Sequence, residues 1–504
     1  MIACEGEFLK AHKRFEQLVE KVRRAGSERR RIDEVERLVF AELLAMGLHL
    51  ISAFVAGAGD GDVGQTCEVP AEPESPRAVP NEKLMAGTHR LRRLPLPHTR
   101  RYVSIFGELA ITRRVYGTRE GQRIEAVPLD ARLGLPAGDF SYVLEDWQQR
   151  LCLKESFDEA TGDLAELLGI APSVRAAEVM NRQMAEFAPS FRADQPPPPA
   201  DEEGEIVVFT ADGKGVPMRR PSGEKRPHGQ RRTKGQKANK KQMSYVGAVY
   251  TIDRFVRTPD DVLDELARQD AAADRPRPQH KHVAAEMTQV IEGEECNGRV
   301  SLFGKLSDEA FARNPKAKKP VVAVMDGERA LWEVLRFFLP GTVGILDIFH
   351  VLERLWLAAH VFHAEGSRAA EKFVTDRLRM LLEGHVGGVI GGLRQMLTKQ
   401  ALQGSKRKTL ETVIGYFENN REHMQYDEYL AEGYPIGSGV AEGACRHLVK
   451  DRLEQTGMRW TVEGAQALLH LRALYLNGDW PAFVSHRIQR EQNRLYPYKT
   501  LLPA

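Results

Sequence analysis

The sequence predicts an α/β domain with an all-helical insertion, preceded by a mainly helical region that contains a short β-ribbon. Apolar, strand-like runs alternate with helical patterns between residues 205 and 365. From 366 to 433 only helical patterns occur, and apolar residues again recur at helical spacing before residue 57. Alternation of strands and helices is typical of a layered domain with parallel neighbouring strands.

The composition is that of an ordinary globular protein with two or three domains. Of 504 residues, 28% are charged and 42% hydrophobic, and the net charge of +2 identifies no partner. Five cysteines without CxxC spacing argue against a structural zinc site and a disulfide framework, and fit a reducing cytoplasm. The charged N-terminus indicates no signal peptide, and we interpret the apolar segment 43–59 as a core helix outside any membrane.

The first half of the chain divides into three segments. Residues 1–100 are predicted to form an N-terminal region that is helical up to about residue 56 and ends in a Pro/Gly-rich linker. Residues 101–191 combine a β-ribbon, turning at Gly107-Glu108, with two helices at 156–184 whose arrangement resembles a helix-turn-helix. An ordinary helical hairpin fits the same pattern. The proline run of 192–204 predicts a stiff linker.

The second half contains the α/β domain. Its first part, 205–365, contains the predicted strands "EIVVFTA", "MSYVGAVYTI", "PVVAVM" and "TVGILDIF", the last two each leading into a helix. Residues 366–433 are the helical insertion. Residues 434–504 complete the domain, beginning with a glycine-rich turn before a charged helix and ending in a C-terminal tail.

Two aspartates, Asp212 and Asp326, each follow an apolar run and precede a glycine. Either one alone is better explained as an ordinary Asp-Gly turn. In open α/β sheets, however, functional side chains gather at the carboxyl ends of strands. The repeated pattern therefore favours a shared site, with Gly213 and Gly327 letting the chain turn sharply away.

A third carboxylate would complete a site for divalent cations. Two carboxylates repel each other unless a cation lies between them, and Mg²⁺ prefers oxygen ligands. Our candidate is Glu442, at the predicted start of a helix after "IGSG", although a helix N-terminus favours any glutamate. Arg446 and Lys450 follow on nearly the same helix face, where they could hold a phosphate backbone.

Asp347 and His350 lie three residues apart at the next strand-to-helix junction. Asp347 is a rival third ligand, and His350 could orient a scissile phosphate. A lone histidine near a helix start is more often structural, so the spacing leaves both roles open.

A strongly basic segment separates the first two predicted strands of the α/β domain. Residues 213–242 contain eleven Lys or Arg residues and one acidic residue. Such a run is usually a solvated loop, but here it would extend beside the carboxylates and contact nucleic-acid phosphates in a salt-dependent way. The residues predicted to bind DNA are Lys214, Arg219, Arg220, Arg231, Arg232, Lys234, Lys240, Lys241, Arg446, Lys450 and Arg452.

Four motifs together resemble the insertion-sequence transposases of the Kra group. They are, in order, "FTADGKGVPM", "VVAVMDGERALWE", "GILDIFHVLERLW" and "YPIGSGVAEGACRHLVKDRLEQTGMRW". That group consists of DDE enzymes with an RNase H-like core, related to the Mutator-like superfamily. The resemblance covers roughly residues 205–480, and a looser one continues through "PLDARLGLP" and the helical pair after it.

The resemblance implies the site residues and their metal. Asp212, Asp326 and Glu442 would be catalytic and would bind two Mg²⁺ ions, for which Mn²⁺ would substitute. Asp347 and His350 match a Cys-or-Asp, two residues, His motif of the superfamily, which makes His350 a further catalytic candidate. The helical insertion would then be the one that interrupts the RNase H-like core in these enzymes.

The implied activity is cleavage and joining of double-stranded DNA at the terminal inverted repeats of an insertion sequence, by two-metal-ion phosphoryl transfer. We expect residues 1–190 to recognise the repeats. We further expect a homodimer or larger assembly on element and target DNA, in the nucleoid of the cytoplasm and away from membranes. Two alternatives are a nuclease on the same core without strand transfer, and a domesticated DNA-binding protein without catalysis.

Overall fold

The protein is described by a computed structural model that covers residues 2–70, 87–119, 124–219, 241–267, 275–455 and 457–503. It consists of two compact units, Met1–Phe187 with Trp480–Ala504, and Ala188–Asp479. The C-terminal residues from Trp480 were predicted to belong to the α/β domain. They pack in the first unit instead, where Tyr496 and Tyr498 share a core with Leu91 and Tyr116.

The first unit contains eleven elements before residue 188 within the described ranges. They are α1 Ile2–Ser27, α2 Ile32–Gly57, β1 Thr66–Pro70, β2 Thr88–Arg93, β3 His98–Ser104, β4 Gly107–Arg113, β5 Tyr116–Gly117, α3 Pro128–Leu133, α4 Tyr142–Cys152, α5 Phe157–Leu168 and α6 Val174–Ala185. The helices predicted before residue 57 are therefore confirmed as α1 and α2.

Strands β3 and β4 form the predicted β-ribbon. They pair antiparallel from His98 opposite Arg113 to Ser104 opposite Gly107. The turn comes about two residues earlier than predicted, because Gly107 already pairs and adopts a φ of +136° that favours glycine. The predicted linker after α2 also contains structure, since β1 and β2 pair antiparallel there.

The predicted helix pair is present as α5 and α6. Ser156 begins α5 with a capping box, in which its side chain accepts from the backbone of Glu159 and the Glu159 side chain accepts in return. Gly169 ends the helix at a φ of +69°, and Ser173 caps the start of α6. Local capping chemistry therefore determines where both helices begin and where α5 ends.

The chain forms the second unit from Ala188 to Asp479, and its last helix, α19 (Trp480–Leu495), belongs to the first unit. The elements are α7 Ala188–Asp194, β6 Ile206–Pro217, β7 Lys241–Ile252, α8 Pro259–Leu266, β8 Gln279–Met287, β9 Gln289–Ile291, β10 Glu294–Cys296, α9 Gly298–Arg313, β11 Val321–Met325, α10 Arg329–Phe338, β12 Val343–Leu346, α11 Ile348–Phe362, α12 Arg368–Leu382, α13 Val386–Lys399, α14 Gly404–Asn419, α15 Tyr426–Ala431, α16 Gly439–Ala444, a π-helical segment Cys445–Lys450, α17 Asp451–Leu453, α18 Val462–Leu476 and α19 Trp480–Leu495. The segment 366–433, predicted as the helical insertion, is helical and contains α12 to α15.

A mixed five-stranded sheet organises the second unit, with the strand order β12-β11-β6-β7-β8. Strands β6, β7 and β8 are antiparallel neighbours, whereas β11 and β12 run parallel to β6. The α/β class is therefore confirmed. The sequence did not predict β8 or α9, because the exposed first half of β8, "QHKH", is polar and lacks an apolar run.

Helices cover both faces of the sheet. Val207 and Phe209 of β6 face α9 and α10, where they share a core with Phe303 and Leu331. Residues at the alternate positions, such as Val208, lie in the other core with α11 and the helical insertion. Because successive strand residues point to opposite faces, a continuous apolar run is what a strand buried on both sides requires.

By length and composition alone, α2 could cross a membrane. Its most apolar 18-residue window has a mean hydropathy of 2.0, and 11% of that window is buried in the structure. A core helix would be mostly buried, so the interpretation of this segment as a core helix is not supported. Much of its apolar surface remains exposed.

A buried ion pair connects α9 to the start of β6. Arg313 lies 2.6 Å from the Glu203 carboxylate, with side chains 0% and 2% exposed. The same guanidinium donates to the carbonyl oxygens of His280 at 3.0 Å and Val249 at 3.3 Å. It therefore ties α9 and two strands to one carboxylate.

We expect Arg313→Met to destabilise the second unit by about 3–5 kcal/mol, because it leaves the Glu203 charge buried with only the more distant Lys319 nearby. The urea midpoint of unfolding measures the effect. Arg329→Met is the control, since the Arg329–Glu333 pair is exposed and should contribute less than about 1 kcal/mol. Equal midpoints for the two variants would contradict the structural role of Arg313.

Candidate metal centre

The register of β6 and β11 brings Asp212 and Asp326 together. The strands run parallel with Val321 opposite Val207 and Ala323 opposite Phe209. The same register, extended three residues further, sets Asp326 beside Asp212. Neighbouring strands lie about 4.8 Å apart and paired residues project to the same face. The two carboxylates that the sequence singled out therefore share one face of the sheet.

Asp347 extends this row to a third strand. In the parallel pair β11–β12, Met325 lies opposite Leu346, so the next residues, Asp326 and Asp347, are neighbours. The Asp347 amide donates to the Met325 carbonyl at 2.9 Å, which continues the pairing at this point. Three aspartates thus form a row across β6, β11 and β12, which we call the aspartate row.

Asp212 does not lie at a strand end, contrary to the prediction. It lies inside β6, and Gly213 after it pairs with Tyr245 of β7, so the chain does not turn there. Its Oδ2 accepts a hydrogen bond from the Cys445 thiol at 3.4 Å. Burial raises the pKa of that thiol, and the Asp212 charge raises it further, so Cys445 remains a donor.

Asp326 follows β11 directly, as predicted. Its Oδ1 accepts from the Glu328 amide at 2.6 Å. A Cβ on Gly327 would lie 2.5 Å from the Tyr416 ring and 2.6 Å from the Asn420 amide, so glycine is required here by close packing against the helical insertion. Burial raises the pKa of Asp326, and the nearby Asp212 charge adds to this effect.

Asp347 is fully buried and its carboxylate is held in place. One oxygen accepts from the Phe349 amide at 2.9 Å, which caps the start of α11. The Ser438 hydroxyl donates to the other oxygen. Burial is the main cause that raises the pKa of Asp347, and these hydrogen bonds oppose the shift. Ser438 of the "IGSG" motif therefore orients the carboxylate of Asp347, which lies 91 residues earlier in the chain.

Glu442 reaches the same place from α16. Ligand atoms of Glu442, Asp347 and His350 all lie within 4.8 Å of one another. Partial burial raises the pKa of Glu442, and the Asp347 charge is the next cause; the Asp212 charge also contributes. Glu442, our candidate for the third carboxylate, and Asp347, its rival, therefore lie in one site together with His350.

The arrangement suits hard divalent cations. Carboxylate oxygens are the preferred ligands of Mg²⁺ and Mn²⁺, while an imidazole also suits transition metals. Four carboxylates at one edge of the sheet repel each other, and a cation between them relieves both the repulsion and the cost of burial. Asp347, His350 and Glu442 could hold one ion, and Asp212 with Asp326 could share a second.

Several supporting residues were not predicted as parts of the site. Cys445 and Ser438 hold Asp212 and Asp347, and Arg354 lowers the pKa of Asp326 while its guanidinium lies 4.6 Å from the centre of the Tyr416 ring. The first two lie in the same motif as Glu442, which was the available signal. Residues of the helical insertion, such as Tyr416, have no sequence signal that connects them to the site.

The predicted DNA-binding residues lie in different surroundings. Lys214 is partly buried in β6, and Arg219, Arg446 and Lys450 are exposed. Lys241 is partly exposed and pairs with Glu454. Arg220, Arg231, Arg232, Lys234 and Lys240 lie outside the described residues.

Arg452 must be removed from the predicted DNA-binding set. It is fully buried, and its guanidinium lies 5.1 Å from the centre of the Trp460 ring. A buried side chain cannot reach a phosphate, so Arg452 stabilises the packing after the π-helical segment.

We expect Asp326→Asn to raise the metal-free melting temperature at pH 7–8 by about 2–4 °C. The raised pKa means that the folded state disfavours the ionised carboxylate, so metal-free stability falls as pH rises from the ordinary carboxylate pKa of 3.8 through the raised value. Asparagine keeps the oxygen that accepts from Glu328 and removes the charge. The same variant should lose most of the stabilisation that Mn²⁺ gives the wild type.

Differential scanning fluorimetry with and without Mn²⁺ measures both effects, and Glu333→Gln on the exposed face of α10 is the control. The Mn²⁺ effect in the wild type should also weaken as pH falls through the raised pKa values, because protons then compete with the metal. A variant with unchanged metal response would remove Asp326 from the site.

No protein-family model matches this chain, and no curated protein matches it. The geometry of the aspartate row with Glu442 and His350, together with the four motifs, indicates a site for divalent cations.

Proposed function

We propose that this protein is a DDE transposase that cleaves and joins DNA at the terminal inverted repeats of an insertion sequence. One observation carries the proposal: carboxylates from four separate segments, ending with Glu442, meet at one edge of a buried sheet. A cation bound between neighbouring carboxylates relieves their mutual repulsion. The motif resemblance supplies the class of reaction.

The proposed RNase H-like core is compatible with the sheet and its insertion. A mixed sheet of five strands carries the aspartate row, and helices cover both faces. The helical insertion enters between α11 and α16, and so between Asp347 and Glu442. Its Tyr416 and Asn420 pack against Gly327, which would position the carboxylate before that glycine.

In this proposal each acidic residue has a defined part. Asp212, Asp326, Asp347 and Glu442 would hold two divalent ions, with His350 as a further ligand or as an orienting group for the scissile phosphate. Such ions, when bound, activate water or a 3′-hydroxyl and stabilise the leaving oxygen. The Cys445 thiol and the Ser438 hydroxyl would keep Asp212 and Asp347 in ligating orientations.

The remaining residues would bind and orient the DNA. Lys214 comes two residues after Asp212 in β6, so both side chains project from the same face of the strand. Arg446 and Lys450 are exposed on the segment that follows Glu442. The positive charges of Lys214, Arg446 and Lys450 suit the phosphates on either side of the scissile phosphate. No covalent protein–DNA intermediate is needed.

Recognition of the element ends is assigned to the first unit. The α5–α6 pair has capped ends, and its connection at Gly169 is short enough for a helix-turn-helix. An ordinary helical hairpin has the same local features, so preference for repeat-containing DNA is the distinguishing property. Two ends must be joined, which is why we expect at least two copies of the chain on DNA.

We expect Asp212→Asn, Asp326→Asn and Glu442→Gln each to lower Mg²⁺-dependent cleavage at least 100-fold while DNA affinity changes less than about threefold. The substrate is a plasmid that carries the genomic DNA flanking the gene on both sides, and gel analysis separates nicked, excised and joined products. Glu333→Gln should cleave like the wild type.

The products distinguish the proposed transposase from its alternatives. Joined products support strand transfer, whereas cleavage that depends on the carboxylates without any joining would favour a nuclease. Binding to the flanking repeats without cleavage by the wild type would favour a DNA-binding protein that has no catalytic activity.

We expect the combined change of Arg231, Arg232, Lys240 and Lys241 to Gln to flatten the dependence of DNA affinity on salt. Each lost phosphate contact lowers the slope of log K against log salt by about 0.9, so four contacts would lower it by up to about 3.6. Fluorescence anisotropy over a salt series measures the slope. An unchanged slope would exclude these four residues from phosphate contact; Arg329→Gln is the control, on the exposed face of α10.

A further inference from the structure

The two N-terminal helices form an antiparallel hairpin held by polar contacts along its seam. Glu42 of α2 is buried and accepts from Arg14 at 2.8 Å and from Lys21, both on α1. Nearer the open end, His49 lies 2.9 Å from Glu7. These contacts fix which residues of the two helices lie at the same level.

One face of α1 remains apolar and exposed. Phe8, Phe15 and Val22 recur every seven residues and are 47%, 51% and 36% exposed. Ala11 and Leu18, which alternate with them, are buried against α2 at 4% and 7% exposure. Taken together, the exposed and buried residues of α1 recur at alternating intervals of three and four, which is the heptad spacing of a coiled coil. Only the buried half of these apolar positions packs within the hairpin.

A matching exposed set lies on α2, interrupted at Gly47, where the Phe106 ring packs against the helix. Phe40, Leu43, Leu50 and Phe54 follow the same heptad spacing and are 48%, 45%, 44% and 64% exposed. Apart from Glu42, no residue from 38 to 57 is Asp, Glu, Lys or Arg. An exposed helix of a monomer normally carries charges on its outer face, so this surface is unusually free of them.

Apart from Phe40, which points about 160° away from the seam, both sets lie on the same face of the hairpin. On α1 each exposed residue comes three positions before a residue that is buried in the seam between the helices. At 100° per residue, three positions back is −300°, which is equivalent to a rotation of +60° away from the seam. On α2, Leu43 and Leu50 each follow a seam residue by one position, a rotation of about 100° in the same sense. Because the helices are antiparallel, equal senses of rotation turn both sets to one side, with Phe15 level with Leu43. We call this surface the apolar face.

The apolar face has the size of a protein–protein interface. Aromatic side chains offer about 150–250 Å² each, so three half-exposed phenylalanines (Phe8, Phe15 and Phe54) and three aliphatic residues present about 500 Å². Two such faces together bury about 1,000 Å² of apolar area. A stable interface buries about 1,600 Å² in total, of which 56–65% is apolar, so two copies match this requirement.

We propose that the apolar face binds the same face of a second copy of this chain, so that two hairpins form a four-helix bundle about a two-fold axis. In a bundle of two paired hairpins, the apolar heptad positions that remain exposed in one hairpin are buried against the other. A lipid bilayer is the less suitable occupant, because Glu42 with Arg14 and Lys21 would place three charged side chains within the apolar hairpin at high cost. The contact would tie together the two chains that end joining requires.

The test is the mass of the full-length protein in solution, measured by sedimentation equilibrium over about a 100-fold range of concentration. The wild type should be a dimer, and Phe15→Glu with Leu43→Glu should raise the dissociation constant at least 100-fold. Leu9→Glu is the matched control, because Leu9 is 54% exposed on α1 but points about 100° away from Phe8. It should remain a dimer.

A second variant pair, Phe15→Ala with Leu43→Ala, keeps the helices favourable and should weaken the dimer in the same direction, while circular dichroism verifies that all variants retain their helices. A monomeric wild type, or dimers unaffected by both pairs, would overturn the inference. So would a monomer that floats with phosphatidylcholine–phosphatidylglycerol vesicles and is released by the same substitutions. DNA and divalent ions are absent throughout, so this result is independent of the proposed catalysis.

Discussion

Repulsion among carboxylates at one edge of a buried sheet is the constraint on which the second unit depends. Asp212, Asp326 and Asp347 lie in register on three adjacent strands, and Glu442 joins them from α16. Burial raises the pKa of Asp326, Asp347 and Glu442, so ionising these carboxyl groups destabilises the fold when no metal is bound. A site that costs stability when empty is well suited to a cation that relieves the cost, as expected where function is favoured over stability.

The surrounding elements hold these groups in place. Hydrogen bonds from Cys445 and Ser438 orient two of the aspartates, and both donors lie in the segment that also supplies Glu442. A π-helical segment begins at Cys445, and such segments frequently occur at functional sites. The helical insertion contributes through Gly327, whose missing side chain allows Tyr416 to approach. One C-terminal motif and one insertion therefore support a site whose other ligands come from the sheet.

Two surfaces outside the carboxylate site fit the proposed reaction in different ways. Exposed basic residues beside Glu442 match a polyanionic substrate. The apolar face of the first unit, which includes Phe15 and Leu43, matches a second chain with the same heptad pattern. Binding through the first surface would depend on charge and weaken with salt, whereas binding through the second, apolar surface would not. Salt dependence therefore separates DNA binding from self-association.

The sequence by itself determined the α/β class, the helical insertion, the capped pair α5–α6 and the candidate carboxylates, because periodicity, caps and Asp-Gly motifs are local signals. Tertiary structure decided the rest. Strand register set Asp347 beside Asp326, and the packing of α16 brought Glu442 to Asp347, although 95 residues separate these two carboxylates. The tertiary structure also placed Asp212 inside a long strand, buried Arg452, and returned α19 to the first unit. Such outcomes depend on contacts between distant segments, which no local pattern encodes.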